Sequence, residues 1–143
     1  EIADELLGKQ VIVYTKDRAG KEDYMNSDAS KVDYPFTILV NEGSASASEI
    51  LTGAVKDTES GVIIGTTTFG KGLVQAVREL SDGTGFKLTI SQYFTPNGSY
   101  IHGKGIEPNI VVELPDELKE KPDITDEEDI QLQKALEVLK SKM

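Results

Sequence analysis

The 143-residue sequence has no cysteine, no tryptophan and a single histidine, His102. Without cysteine there is no disulfide, no thiol nucleophile and no iron–sulfur site. One histidine and no cysteine also exclude a His- or Cys-rich zinc site. Basic residues are scarce: 15 Lys and Arg stand against 25 acids, a formal net charge of -10. Such a chain repels phosphate backbones, and no local basic patch offsets this, so nucleic acid is not an expected partner. Long apolar runs are missing too. The longest, such as Ile38-Leu39-Val40 and Val62-Ile63-Ile64, fall far short of a membrane span. The opening Glu1–Leu7 is acidic, lacks a signal-peptide pattern and has no initiator Met. It reads as a fragment, with any targeting segment expected upstream. What remains, 38% apolar and 28% charged residues, is ordinary for one folded domain or part of a larger one.

Residues 2–7 read as the last turns of an amphipathic helix, stopped by Gly8. Val11–Tyr14 reads as a buried strand and residues 16–34 as a polar, exposed excursion. Phe36–Val40 is the next strand, a helix follows over roughly 47–57, and Val62–Ile64 is a third strand. Short apolar strands alternating with helices predict a parallel sheet covered by helices, hence an α/β class. The pattern then changes. Residues 73–80 and 86–95 read as two strands joined around Ser81–Gly85. In the second, Phe86, Leu88, Ile90, Gln92 and Phe94 alternate with Lys87, Thr89, Ser91 and Tyr93. Pro96-Asn97-Gly98 marks a further tight turn, which explains the formal glycosylation sequon Asn97-Gly98-Ser99. Residues 110–112 read as another strand and 115–125 as a polar linker. Thr125-x-x-Glu128 predicts a capping box that opens a helix with Leu132, Ala135, Leu136 and Leu139 as its apolar stripe. Acids at 126–129 suit that helix's N-terminal dipole better than a calcium site.

Asn41–Glu49 joins a strand to a helix through small residues. A serine there stands beside unpaired first-turn amides, which can hold an acyl-transfer oxyanion. Ser46 is then a candidate nucleophile and the Ala47 amide a candidate oxyanion donor. Ser46-x-x-Glu49 is equally a capping-box pattern, and the segment is not the G-x-S-x-G elbow. His102 offers a conventional base, but a lone histidine in a Gly-rich turn is more often structural.

Gly65-Thr66-Thr67-Thr68-Phe69-Gly70-Lys71-Gly72 holds the other candidate. G-x-x-x-x-G-K hints at a phosphate loop, but Gly72 stands where Ser or Thr should bind magnesium, and a strand follows instead of a helix. Lys71 is alternatively a general base. Lysine is protonated in water, with a pKa of about 10.4, and apolar burial lowers it. Phe69, Leu73 and Val74 are the residues expected to enclose Lys71. If the segment is a strand, even spacing puts Gln75 on the same face, with its carbonyl holding the amine. An exposed lysine in a glycine turn is the plain alternative.

Taken together, Asn41–Glu49, Thr68-Phe69-Gly70-Lys71-Gly72-x-x-Gln75 and Gly103-x-Gly105-Ile106-x-Pro108 resemble the carboxy-terminal processing proteases, serine endopeptidases with a Ser–Lys dyad. The resemblance runs over nearly the whole chain, in the family's order and spacing. It implies a crotonase/ClpP-like spiral core with mixed sheet, hairpins and covering helices. It makes Ser46 the nucleophile, Lys71 the general base, Gln75 the lysine's support and the Ala47 amide part of the oxyanion hole, with no cofactor or metal and no role for His102. A structural role is expected for Asp57, and Asn109 replaces an aspartate frequent in relatives. Residues 1–114 are expected to form the catalytic core, truncated at its N-terminus, and 115–143 a linker and an amphipathic helix packed on it. Implied partners are polypeptide substrates and the PDZ domain of a longer chain, absent here; homo-oligomerisation stays open. The implied location is extracytoplasmic. Because the glycine-rich segment expected upstream would supply a second oxyanion amide, the fragment alone is expected to be weakly active or inactive. The alternatives from the residues alone are a non-catalytic scaffold of the same fold or a nucleotide-binding protein.

Overall fold

A computed structural model describes residues 1–121 and 123–143. Two sheets flank one central helix. The first is antiparallel, with strands β1 (Val11–Asp17), β2 (Glu22–Asn26), β5 (Leu73–Glu79) and β6 (Gly85–Phe94) in the order β2-β1-β6-β5. The second is parallel, with β3 (Thr37–Val40), β4 (Val62–Gly65) and β7 (Ile110–Val111) in the order β3-β4-β7. Helix α1 (Ile2–Leu6) precedes β1, α2 (Ala47–Asp57) links β3 to β4, and α3 (Asp116–Lys119) and α4 (Ile130–Lys142) close the chain. The expected mixed α/β class is what the structure has.

In β4 the successive residues Ile63 and Ile64 are both fully buried. Neighbours on a strand point to opposite faces, so both faces of this sheet are covered. Helices α2 and α4 supply the cover. Each such side chain contributes about 1.5–3 kcal/mol of burial. One core cluster joins Leu7, Val40, Ala54, Val55 and Ile63; a second joins Val13, Tyr93, Ile101 and Ile106. Leu51 packs on the first and Ile50 on the second, so α2 is shared between the sheets.

Three sequence expectations change. The excursion at 16–34 contains β2, which pairs with β1 although all its residues are exposed. It is an edge strand held by main-chain bonds and by Tyr24 stacked on Tyr14 at 4.9 Å, so no buried face marks it in the sequence. The C-terminal helix starts later than its capping box predicts. Glu128 does accept from the Thr125 amide at 3.1 Å, but those residues form a turn. The N-cap is Asp129, which accepts from Gln131 and Leu132. In the predicted stripe Ala135 is buried, but Leu136 is 38% exposed; Gln131 takes the inward position and donates to the Val112 carbonyl at 2.7 Å. The linker at 115–125 holds the short α3, and its Pro122 lies outside the described residues.

Candidate active site

Ser46 is the N-cap of α2, with φ 58° and ψ -112°. Positive φ is uncommon for residues other than glycine and costs of order 1–3 kcal/mol, so it persists only where surroundings over-determine it. The surroundings here are polar and buried. Glu49, one turn into α2, is fully buried. Its Oε2 accepts from the amides of Ser46 at 2.9 Å and Lys71 at 2.7 Å. Its Oε1 accepts from the Thr68 hydroxyl and the Gly70 amide, both at 2.6 Å. A buried carboxylate is tolerable only when its lone pairs are filled in this way. Thr68 extends the network by accepting from the Ile106 amide at 2.8 Å. One side chain thus ties the serine loop to the lysine loop, and through Thr68 to the turn before Pro108.

Two glycines let the loops approach. A Cβ on Gly105, at φ 71°, would lie 2.1 Å from the Thr68 carbonyl oxygen. A Cβ on Gly70, at φ 88°, would lie 2.8 Å from the Gly105 nitrogen. The glycines around Lys71 therefore serve loop-on-loop packing. The chain then enters β5 rather than a helix, so the phosphate-loop geometry is not formed.

Tyr93, buried on β6, reaches the same place. Its hydroxyl donates toward the carbonyls of Ser46, at 3.2 Å, and Lys71. Burial, and next the charge of Glu49, push this phenol up to about 12, while its bond to Ser46 pulls the other way.

An open hollow of about 730 Å³ with largely apolar walls is lined by Ala45, the residue before Ser46, while Ser46 itself is not among its lining residues. Gly43, Ala45, Phe69, Lys71, Gln75 and His102 line it. Lys71 and Gln75 thus border one space, but not for the strand-parity reason. Lys71 precedes β5, which starts at Leu73, so strand alternation does not apply to it. Gln75 donates to Thr89 Oγ1 at 3.4 Å, and Lys71 is exposed. The apolar enclosure expected from Phe69 is not built either, since Phe69 is 65% exposed. Ala47 opens α2, exposed, where first-turn amides are free of helical partners. His102 is exposed. Asp57 lies elsewhere and accepts from the Asn97 amide at 2.8 Å, holding the turn after β6. Asn109 accepts from the Ile63 amide at 2.9 Å. Among the described residues no His/Cys/Asp/Glu cluster is arranged to hold a metal ion, and no helix is long and apolar enough to cross a membrane.

Sequence reasoning gave Glu49 only a capping role and gave Tyr93 none. A signal for Tyr93 did exist, since it is the one aromatic among Lys87, Thr89 and Ser91 on its side of β6.

Residues 1–112 match the profile of Peptidase family S41. The chain belongs to peptidase family S41. Over 140 residues it is 44% identical to the carboxyl-terminal-processing protease of Synechocystis sp., covering 97% of this chain and 32% of that protein. Over 110 residues it is 46% identical to a probable CtpA-like serine protease of Staphylococcus aureus, covering 76% of this chain and 22% of the relative. Among solved structures it matches a photosystem II D1 C-terminal processing protease with TM-score 0.74 and 41% identity, over 82% of this chain and 32% of that one. This S41 chain therefore has the fold of a serine-protease core and spans about a third of the length of the processing proteases it resembles.

Proposed function

We propose that this chain is the catalytic core of a serine endopeptidase that cleaves polypeptides near their C-termini through a Ser46–Lys71 dyad. The observation that supports this reading most is the shared Glu49 oxygen: it accepts from the amides of both Ser46, at the N-terminus of α2, and Lys71, which lines the open hollow. In the reaction, Ser46 Oγ attacks the scissile carbonyl carbon and its proton passes to the neutral amine of Lys71. The Ala47 amide stabilises the oxyanion. Collapse expels the amine product, which takes the proton from Lys71, and leaves an acyl-enzyme. Water then attacks the ester and gives a proton to Lys71; collapse releases the carboxylic acid product, and Lys71 returns that proton to Ser46 Oγ. Gln75 orients the lysine. Desolvation of Lys71 comes from substrate filling the hollow and from parts of the longer protein, since side chains of this chain leave it exposed. The full protein uses a PDZ domain to present substrate tails and acts outside the cytoplasm. On this reading the 143 residues alone are weakly active or inactive, since a second oxyanion amide is supplied by another part of the longer protein and lacking one such donor costs about 10²–10³ in turnover.

In the full-length protein a fluorophosphonate probe labels Ser46, and Ser46→Ala or Lys71→Ala abolishes cleavage while His102→Ala keeps most of it. Failure of the probe to label Ser46 returns the chain to a non-catalytic scaffold. A folded but inactive His102→Ala protein points to a histidine base instead.

A further inference from the structure

The dyad residues are fixed on both sides of their backbone. Glu49 Oε2 takes the N–H of Ser46 and of Lys71; the Tyr93 hydroxyl lies against the C=O of Ser46 and of Lys71. Two side chains thus reach the N–H and C=O groups of both residues, the single phenol proton being shared between the two carbonyls. Glu49 comes from α2 and Tyr93 from β6, so the clamp joins the central helix to the antiparallel sheet. A buried phenol must find some acceptor, and any one carbonyl would satisfy it. That this one reaches the same two residues already held by Glu49 is not required by packing. Ser46 also needs such restraint. Among the described residues the other positive-φ residue besides glycines is Glu59, which follows the end of α2, where left-handed geometry is commonplace; Ser46 begins a helix.

We propose that Tyr93 is a positioning residue for the dyad, holding the Ser46 and Lys71 peptides in the register that brings hydroxyl and amine together. The inference rests on the Ser–Lys reading above. Tyr93 transfers no proton. Its pKa of about 12 keeps it a donor through the neutral and moderately alkaline range, so the clamp does not titrate there. The charged group that acts on the phenol is Glu49 of α2, and the Ser46 and Lys71 carbonyls face its hydroxyl; the main chain of Tyr93 pairs with Thr15 of β1 and donates to the Gly72 carbonyl. Small errors of placement are costly in this kind of chemistry, since a shift of about 1 Å can cost on the order of 10²-fold.

The test uses the full-length protein with a peptide substrate and a fluorophosphonate probe. Tyr93→Phe keeps the ring in its core cluster and removes the hydroxyl. Expected are a fall in kcat of about 10- to 100-fold with KM little changed, and an equal fall in the rate constant of Ser46 labelling per folded molecule. A merely structural hydroxyl would lower the unfolding midpoint and the amount of labelled protein, but not that rate constant. A fluorinated tyrosine at position 93 keeps the hydroxyl and lowers the phenol pKa, which covers the case of a Tyr93→Phe protein that does not fold. It should match wild type while protonated and lose kcat as the phenol ionises, at a pH where wild type is still active. Unchanged labelling and turnover in Tyr93→Phe, or a fluorotyrosine pH profile that superimposes on wild type, overturns the proposal while leaving the dyad intact. Wild-type protein that the probe does not label at Ser46 overturns the dyad reading and this inference together.

Discussion

At the start of α2 the carboxylate of Glu49 is fully buried, whereas on the outer half of the β5–β6 hairpin Phe86, Leu88 and Ile90 stand 47%, 58% and 49% exposed. The usual placement of charge and oil is reversed between these regions, and hydrogen bonding and layering explain the reversal. Four donors meet the Glu49 oxygens, so burial leaves no lone-pair direction unpaid. Along β6, Ser91–Phe94 pairs with β1 on one side and joins the sheet that backs onto α2. From Gly85 to Ile90 the strand pairs with β5 alone. A two-stranded ribbon has no second layer to bury its apolar face. Alternation therefore marks a strand correctly without promising that its apolar side is covered.

The contrast can be broken most severely at Glu49. Glu49→Ala leaves four donors facing a cavity, and unsatisfied buried groups cost about 1–3 kcal/mol each. With total stabilities of about 5–15 kcal/mol, the expected outcome is loss of a cooperative thermal transition near room temperature. A near-native unfolding midpoint would show that water enters and satisfies the four donors. Thr68→Val removes one donor to Glu49 and the acceptor of the Ile106 amide, with an expected loss of about 1–3 kcal/mol in urea unfolding.

A smaller effect comes from Tyr93. Its ordinary value is 10.0 and its folded value about 12. Between those values the folded state binds more protons than the unfolded one, so stability falls as pH rises through that window. Denaturation midpoints measured across it should slope downward, and Tyr93→Phe should flatten the slope. Leu88→Gln, on the outer hairpin face, should change stability by no more than about 0.5 kcal/mol. A larger loss would mean that this face is covered in the folded protein.

Much of the scaffold was legible from local pattern. Helix α2 occupies 47–57 as its apolar side predicts, and β5 and β6 fall within a residue or so of their predicted bounds. Polar β2 was hidden because an exposed edge strand buries nothing that alternation can report. Ser46, Lys71, Gln75 and Ala47 were nominated by residue chemistry and by family resemblance, and the fold sets Lys71 and Gln75 on one hollow and Ser46 and Ala47 at the start of α2. Glu49 was read only through its neighbour three residues back. Its bonds to Thr68, Gly70 and Lys71 cross 19 to 22 residues, beyond the reach of any helix-start rule. Even spacing does not relate Gln75 to Lys71, because the strand starts only at Leu73 and Lys71 lies in the loop before it.

Strand β7 joins the parallel sheet through only two residue pairs, Ile64 with Ile110 and Gly65 with Val111. Those pairs close a loop that contains the lysine segment, the whole hairpin and the glycine turn that braces Thr68. Contacts between such distant parts of a chain form slowly, because closure entropy is lost before any enthalpy is returned. A newly made molecule therefore brings the Lys71 loop and the turn that braces Thr68 into place late, after the locally paired hairpins have formed.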